Sequence, residues 1–187
     1  MAFIQVVQHE EAEGELKEVY DGLVESRGKL AEVHKIQSLN PRSITNHMDL
    51  YMTIMFGKSP LKRQLREMIA VIVSAGNKCP YCIRHHGDAL QHFWKDQQKV
   101  DLLAQDWKQV SLSDSEKALC QYAYDLTTKP SEVNEQEHIA TLKNLGLEDR
   151  AILDAALVIA YFNFVNRLVL GLGVELEEEG GQGYKYD

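Results

Sequence analysis

Apolar residues recur along most of this chain at the three-and-four spacing that lines one face of an α-helix, and no stretch sustains the alternation of a strand. From Gly14 to Arg27, Leu16, Val19, Tyr20, Leu23 and Val24 form an amphipathic stripe, and a shorter segment with Leu30, Val33 and Ile36 follows. Asn40-Pro41 opens another helix with Ile44, Met48, Leu50, Tyr51, Ile54 and Met55 as its apolar positions and Gly57 as its stop. Ser59-Pro60 reads as an N-cap followed by Pro at the first helical position. Leu61, Leu65, Met68, Ile69, Ile72 and Val73 then repeat at helical period until Gly76-Asn77. Pro80 fits the first position of a second helix, which carries Ile83, Ala89, Leu90 and Phe93 on its core side and should fray around Lys95 to Lys99.

Val100 to Trp107 reads as a short helix. Ser113 with Glu116 three residues later is a capping box for a helix through Leu126. Beyond Pro130, a helix over about Glu135 to Leu145 ends at Gly146, and a long apolar helix from about Glu148 to Leu170 completes an all-α pattern. The organisation expected is one helical domain over residues 1–174. Residues 175–187 form an acidic, Gly-rich tail that is flexible or ordered only by a neighbouring subunit.

Composition narrows the function classes. At 187 residues and 44% hydrophobic content the chain can bury a real core. A net charge of -8 without a basic cluster argues against nucleic acid or an anionic membrane as partner. The stretch from Ala151 to Leu170 raises the question of a membrane span, but Asp154, Asn163, Asn166 and Arg167 interrupt it, at roughly 2.5 to 3.5 kcal/mol for each central charge. A buried core or subunit-interface helix is the better reading, and with it a homo-oligomer. Three cysteines do not make a secreted disulfide framework, and Met1 to Glu10 lacks the features of a signal peptide, so the expected location is the cytoplasm.

The chemistry concentrates between Glu67 and His86. Cys79 falls at the N-cap and Cys82 in the first turn of the helix opened by Pro80, near free backbone N–H groups and the positive end of the helix dipole, a placement that favours thiolate. Cys82 and His86 are four apart and share one helical face, so a base can reach the thiol. In an antiparallel hairpin, the nine residues back from Gly76 descend about 13 Å and the six from Pro80 to His86 about 9 Å, which brings Glu67 near the level of His86.

Each of these residues has a plainer reading. Glu67 could form a surface ion pair with Arg63 or Lys62, although Val71 and Ser74 on its row suggest a covered side. The cysteines could be structural thiols or, with His86 and Glu67 or His85, ligands to zinc. Structural zinc normally draws a second ligand pair from a distant loop, and no such pair is present, so redox chemistry is favoured over a metal. His85 points about 100 degrees away from His86 around the helix, toward solvent or a subunit. His47 reads as a half-buried packing residue rather than a pocket residue, His92 as a helix-end cation and Cys120 as a small buried hydrophobe.

Glu67, eleven intervening residues, Cys79-Pro80-Tyr81-Cys82, three intervening residues and His86 match the signature of the alkyl hydroperoxidase D branch of the carboxymuconolactone decarboxylase-like superfamily. The stretch from Asn40 to about Leu90 is similar to the peroxidase-related members of that branch. So is the C-terminal Tyr161-Phe162-Asn163-Phe164-Val165-Asn166-Arg167, followed by Gly171-Leu172-Gly173-Val174-Glu175. The resemblance implies an all-α bundle with the CxxC at the N-terminus of a central helix, and an oligomeric thiol-dependent peroxidase. In it Cys82 attacks peroxide, Cys79 resolves the sulfenic acid as a disulfide, and Glu67 with His86 relays protons. The better-known members carry a His between the two cysteines. Here that position is Tyr81, with His85 beside His86, and both are candidate modulators.

No cofactor is expected. Reducing equivalents must come from an external dithiol, small or protein-borne, because the chain has neither a second CxxC nor a dinucleotide-binding Gly-rich turn. Two other classes stay open: a redox-sensing or interaction protein, which shares every residue named here, and a decarboxylase or hydrolase of the parent superfamily. The last is disfavoured, because decarboxylase relatives do not rely on the CxxC.

Overall fold

The structure is a computed structural model that describes residues 2–177. Among these residues there is no strand. The helices are α1 (Gly14–Arg27), α2 (Glu32–Lys35), α3 (Pro41–Tyr51), α4 (Arg63–Gly76), α5 (Pro80–Trp94), α6 (Gln97–Asp106), α7 (Asp114–Thr128), α8 (Ala140–Asn144) and α9 (Asp149–Leu172).

Helix α4 is the centre of the bundle. Its residues from Arg66 to Ser74 are all buried, because α5, α6, α7 and α9 pack around it. A helix apolar on several sides is stable only when neighbours cover those sides, and each fully buried Met, Ile or Val here contributes roughly 1.5 to 3 kcal/mol. A smaller core of Leu16, Tyr20, Leu23, Ile44 and Met48 holds α1 against α3. The two cores leave a cleft between α1–α3 on one side and α5 with α9 on the other.

Local departures from the periodic reading have local causes. The apolar run that begins at Pro41 is helical only to Tyr51; Met52–Phe56 then forms a π-helical turn that ends, as expected, at Gly57. The buried Arg66 guanidinium donates to the carbonyls of Ile54 and Met55 at 3.0 and 2.9 Å and to that of Leu61 at 2.8 Å, satisfying backbone that the irregular turn leaves open. Ser59-Pro60 does not start α4. Ser59 Oγ accepts from the Leu61 N–H and donates to the Asp154 carboxylate of α9, and the helix begins at Arg63.

In place of a frayed end, α5 stops at Trp94 on a left-handed Lys95, and Asp96 caps α6 three residues earlier than the apolar pattern indicated. The segment at Glu135 opens as a π turn before α8. The capping box at Ser113 and Glu116 is present, with the Ser113 N–H donating to Glu116 Oε2 at 2.8 Å.

Candidate active site

The hairpin of α4 and α5 builds the site. Asn77 caps α4, Lys78 takes a left-handed conformation at φ 55°, and Cys79 is the N-cap of α5 with Pro80 as its first residue. The reversal is tight enough that Glu67 and His86 meet directly, with His86 Nδ1 2.7 Å from Glu67 Oε2.

Glu67 is fully buried, and its other oxygen accepts from Arg63 Nε at 2.8 Å. Burial alone would raise the Glu67 pKa, but the His86 ring and the Arg63 guanidinium outweigh it and hold the group below the usual carboxylate range. An ionised carboxylate can only accept, so Nδ1 of His86 carries the proton and Nε2 is left as the basic nitrogen. The ion pair with Arg63 that the sequence offered as an alternative therefore coexists with the His86 contact. Arg63 in turn lies over the Phe56 ring at 3.7 Å, and Phe162 packs edge-on against His86 at 4.3 Å.

The thiols are both buried, Cys79 at 0% and Cys82 at 2% exposure, and both are free. They are not equivalent: the Cys79 pKa is lowered and that of Cys82 is raised. The neighbouring Cys82 thiol, and after it the nearby backbone N–H groups of Cys82 and Tyr81, lower the Cys79 pKa although burial opposes this. Cys82 is pushed well up because its S–H donates to Cys79, because it is buried and because the Cys79 charge repels a second one; the Asn166 side chain offsets part of this.

Only Cys82 of the two lines the cleft, a cavity of about 660 Å³ including its open mouth. His86 and Phe162 line it beside Cys82, and His34, His47 and Tyr161 face it from the other walls. His47 therefore belongs to the pocket rather than to surface packing. Its Nε2 is 2.6 Å from Tyr161 Oη, and Gln37 Nε2 is 2.8 Å from its Nδ1. Burial lowers its pKa to about 4, so the ring is neutral. His34, lowered to about 3 chiefly by burial with His47 adding to it, is also neutral, and its buried Nδ1 has no hydrogen-bond partner among the described residues.

His85 also departs from expectation. It stacks on Tyr81 at 4.3 Å and bonds Glu177 Oε2 at 2.8 Å, while Tyr81 donates to Glu177 Oε1 at 2.9 Å. Glu177 further accepts from the Glu32 N–H at 2.8 Å, so the start of the acidic tail is fastened to the rim of the cleft by contacts within the chain. Although burial opposes it, the His85 and backbone hydrogen bonds lower the Glu177 pKa to about 2. The rest of the tail expectation, at 178–187, lies outside the described residues. Cys120 is fully buried away from the site, and burial raises its pKa, consistent with an inert thiol. Among the described residues no group of three or more His, Cys, Asp or Glu is arranged to hold a metal ion.

Sequence reasoning offered Arg63 and His86 as alternative partners of Glu67 and did not foresee both together, and it missed His34 and the pairing of His47 with Tyr161, which joins positions 114 apart and left no local signal.

The profile of the carboxymuconolactone decarboxylase family matches residues 45–107, which span the α4–α5 hairpin. The chain is similar over 92% of its length to 89% of an uncharacterized peroxidase-related protein from Silicibacter sp. TM1040, at 28% identity and a TM-score of 0.82. It resembles the alkylhydroperoxidase AhpD core protein from Ralstonia eutropha JMP134, at 22% identity and a TM-score of 0.86 over 96% of this chain and 94% of that one. It also shares its fold with the debrominase Bmp8 solved with 2,3,4-tribromopyrrole, at 22% identity and a TM-score of 0.78 over 95% of each chain. No curated protein matches the chain.

Proposed function

We propose that this chain, similar to the carboxymuconolactone decarboxylase family over residues 45–107 and to an uncharacterized peroxidase-related protein over 92% of its length, is an alkyl hydroperoxidase D-like, thiol-dependent peroxidase acting in antioxidant defence. The observation that carries the reading is the convergence on one cleft of Cys82 and a His86 whose basic nitrogen is set by buried Glu67. Perturbed titratable groups gathered in a cleft are the signature of acid–base and nucleophilic chemistry.

The steps follow from the charges. In this reading His86, compensated by Glu67, takes one proton from the thiol pair, and the proton that remains is shared between the two sulfurs. Its transfer to Cys79 leaves Cys82 as the thiolate facing the cleft. Cys82 Sγ attacks the terminal peroxide oxygen, the O–O bond breaks, and the leaving oxygen takes the proton from His86, giving Cys82 sulfenic acid and an alcohol or water. Cys79 then attacks the sulfenic sulfur; a disulfide forms and water leaves. An external dithiol restores both thiols by exchange. Free, buried thiols suit a reducing, cytoplasmic setting, and a homo-oligomer is part of the same reading.

The test is Glu67→Gln, which keeps shape but removes the charge that stabilises the imidazolium. Peroxide turnover with excess dithiol should fall about 100-fold, with a larger loss for His86→Ala. The pH profile of Cys82 alkylation should move to higher pH in both. Coincident alkylation profiles in wild type and variants would make Glu67 and His86 scaffold and overturn the relay. A single oxidation without turnover would instead indicate a redox sensor.

A second reading, reduction of a bulky organic electrophile by the same thiols, is favoured by one feature. The cleft is walled by the aromatic side chains of Tyr51, Tyr161 and Phe162, a lining suited to an aromatic substrate. The fold is shared with a debrominase, and a brominated pyrrole in the same dithiol assay separates the two readings.

A further inference from the structure

The wall of the cleft opposite His86 holds a hydrogen-bond chain whose direction can be read from one end to the other. Gln37 Nε2 is 2.8 Å from the Val33 carbonyl oxygen and 2.8 Å from His47 Nδ1. A carbonyl can only accept, so the amide nitrogen faces it, and the second amide hydrogen goes to His47. His47 Nδ1 is therefore the acceptor, and Nε2 carries the proton of the neutral ring. At 2.6 Å, Nε2–H donates to Tyr161 Oη. The phenol oxygen thus receives a hydrogen bond, and its own proton has no acceptor among the described residues.

Tyr161 is 5% exposed and lines the cleft with Cys82, and burial, with Tyr51 and Cys82 adding to it, raises its pKa well above the ordinary value. A buried hydroxyl with an unspent proton is costly unless something accepts it. The relay on α5 takes the thiol proton and later delivers it to the leaving oxygen, and a separate donor is needed for the charge that develops before that transfer.

We propose that Tyr161 is a catalytic residue that donates its phenolic proton as a hydrogen bond to the leaving oxygen of an alkyl hydroperoxide, with Gln37 and His47 as positioning residues that fix the direction of that donor. The inference rests on the peroxidase reading and names its substrate class. As Cys82 Sγ bonds the terminal oxygen and the O–O electron pair moves onto the alkoxy oxygen, negative charge develops there. Tyr161 O–H stabilises it until the His86 proton arrives, and the products are the sulfenic acid and a neutral alcohol. A preorganised donor aimed at developing charge is worth about 100-fold to 1,000-fold in rate.

The experiment compares two oxidants in wild type and Tyr161→Phe. Cumene hydroperoxide expels an alkoxide, which needs the donor; peracetic acid expels a carboxylate, which is stable unprotonated at neutral pH. Tyr161→Phe should lower kcat/KM for cumene hydroperoxide about 100-fold while peracetic acid loses at most a few-fold. Equal losses with both oxidants, or no loss with either, would assign Tyr161 to packing or to the thiolate and overturn the proposal. If wild type reduces neither oxidant, the peroxidase reading fails first and takes this inference with it. Should Tyr161→Phe not fold, His47→Leu frees the phenol to rotate and should show a smaller loss with the same selectivity. His47→Gln, able to accept from Gln37 and donate to Tyr161, should restore it.

Discussion

Two buried sulfurs at the start of α5 are shifted in opposite directions, Cys79 down and Cys82 up, and only Cys82 of the two lines the cleft. On the peroxidase reading, that difference would keep Cys82 protonated and less open to adventitious oxidation until its proton moves to Cys79. If the helix N–H groups hold the charge, Cys82→Ser should leave a Cys79 that still titrates below the ordinary thiol value of about 8.5, because the serine hydroxyl and both N–H groups remain as donors. Cys79→Ser should leave a Cys82 that titrates above it. Thiolate absorbance against pH, in variants that also lack Cys120, reads both midpoints. A high midpoint for Cys79 alone would mean that the pair, and not the helix end, lowers it.

At the scale of elements, the site depends on the connection that leads into α4 as much as on the hairpin that leaves it. The π turn Met52–Phe56 places Phe56 over Arg63, which holds one oxygen of Glu67, and Arg66 secures that turn by donating to three carbonyls. Removing the guanidinium strands those acceptors in the interior, so Arg66→Met should cost about 3 kcal/mol. Urea denaturation should show it as a lower midpoint at unchanged slope. A loss within about 0.5 kcal/mol would mean that water replaces the side chain.

The hairpin itself was legible in the sequence. Pro80 marks the helix start, the Cys82 to His86 spacing fixes a face, and the rise per residue puts Glu67 level with His86, a distance that the fold closes to 2.7 Å. What escaped a local reading were features decided by distant partners. Ser59 is diverted from capping by Asp154, ninety-five positions away, and His47 becomes a pocket residue through Tyr161. Likewise His85 turns to the rim because Glu177 receives it, although its angle on the helix pointed outward. A helical wheel records direction around one axis and is blind to which neighbour lies there.

For the molecule as a whole, α9 raises the question of what covers its outer side. Among the described residues it is the one helix long and apolar enough to cross a membrane, yet its polar residues are used inside the protein. Asp154 accepts from Arg150 at 2.9 Å, and Asn166 joins Asn77 and Ser74 beneath the thiol pair. Its inner face thus belongs to the core. The outer face leaves Leu153 at 55%, Leu157 at 41% and Phe164 at 46% exposure, positions that follow one another along a single stripe with Ala160. A second copy of this chain is the expected cover, since a self-complementary helix stripe closes in a two-fold dimer. Phe164 also packs edge-on against His47 at 5.7 Å, so covering the stripe would steady the Tyr161 wall of the cleft. Light scattering at micromolar concentration should therefore give at least a dimer. Leu157→Glu, which places a charge at the middle of the stripe without entering the core, should shift it to monomer with an unchanged helical spectrum and a lower melting temperature. A wild-type monomer, or a Leu157→Glu protein that assembles as before, would leave the stripe a solvent-facing surface and remove assembly from the forces that hold His47 in place.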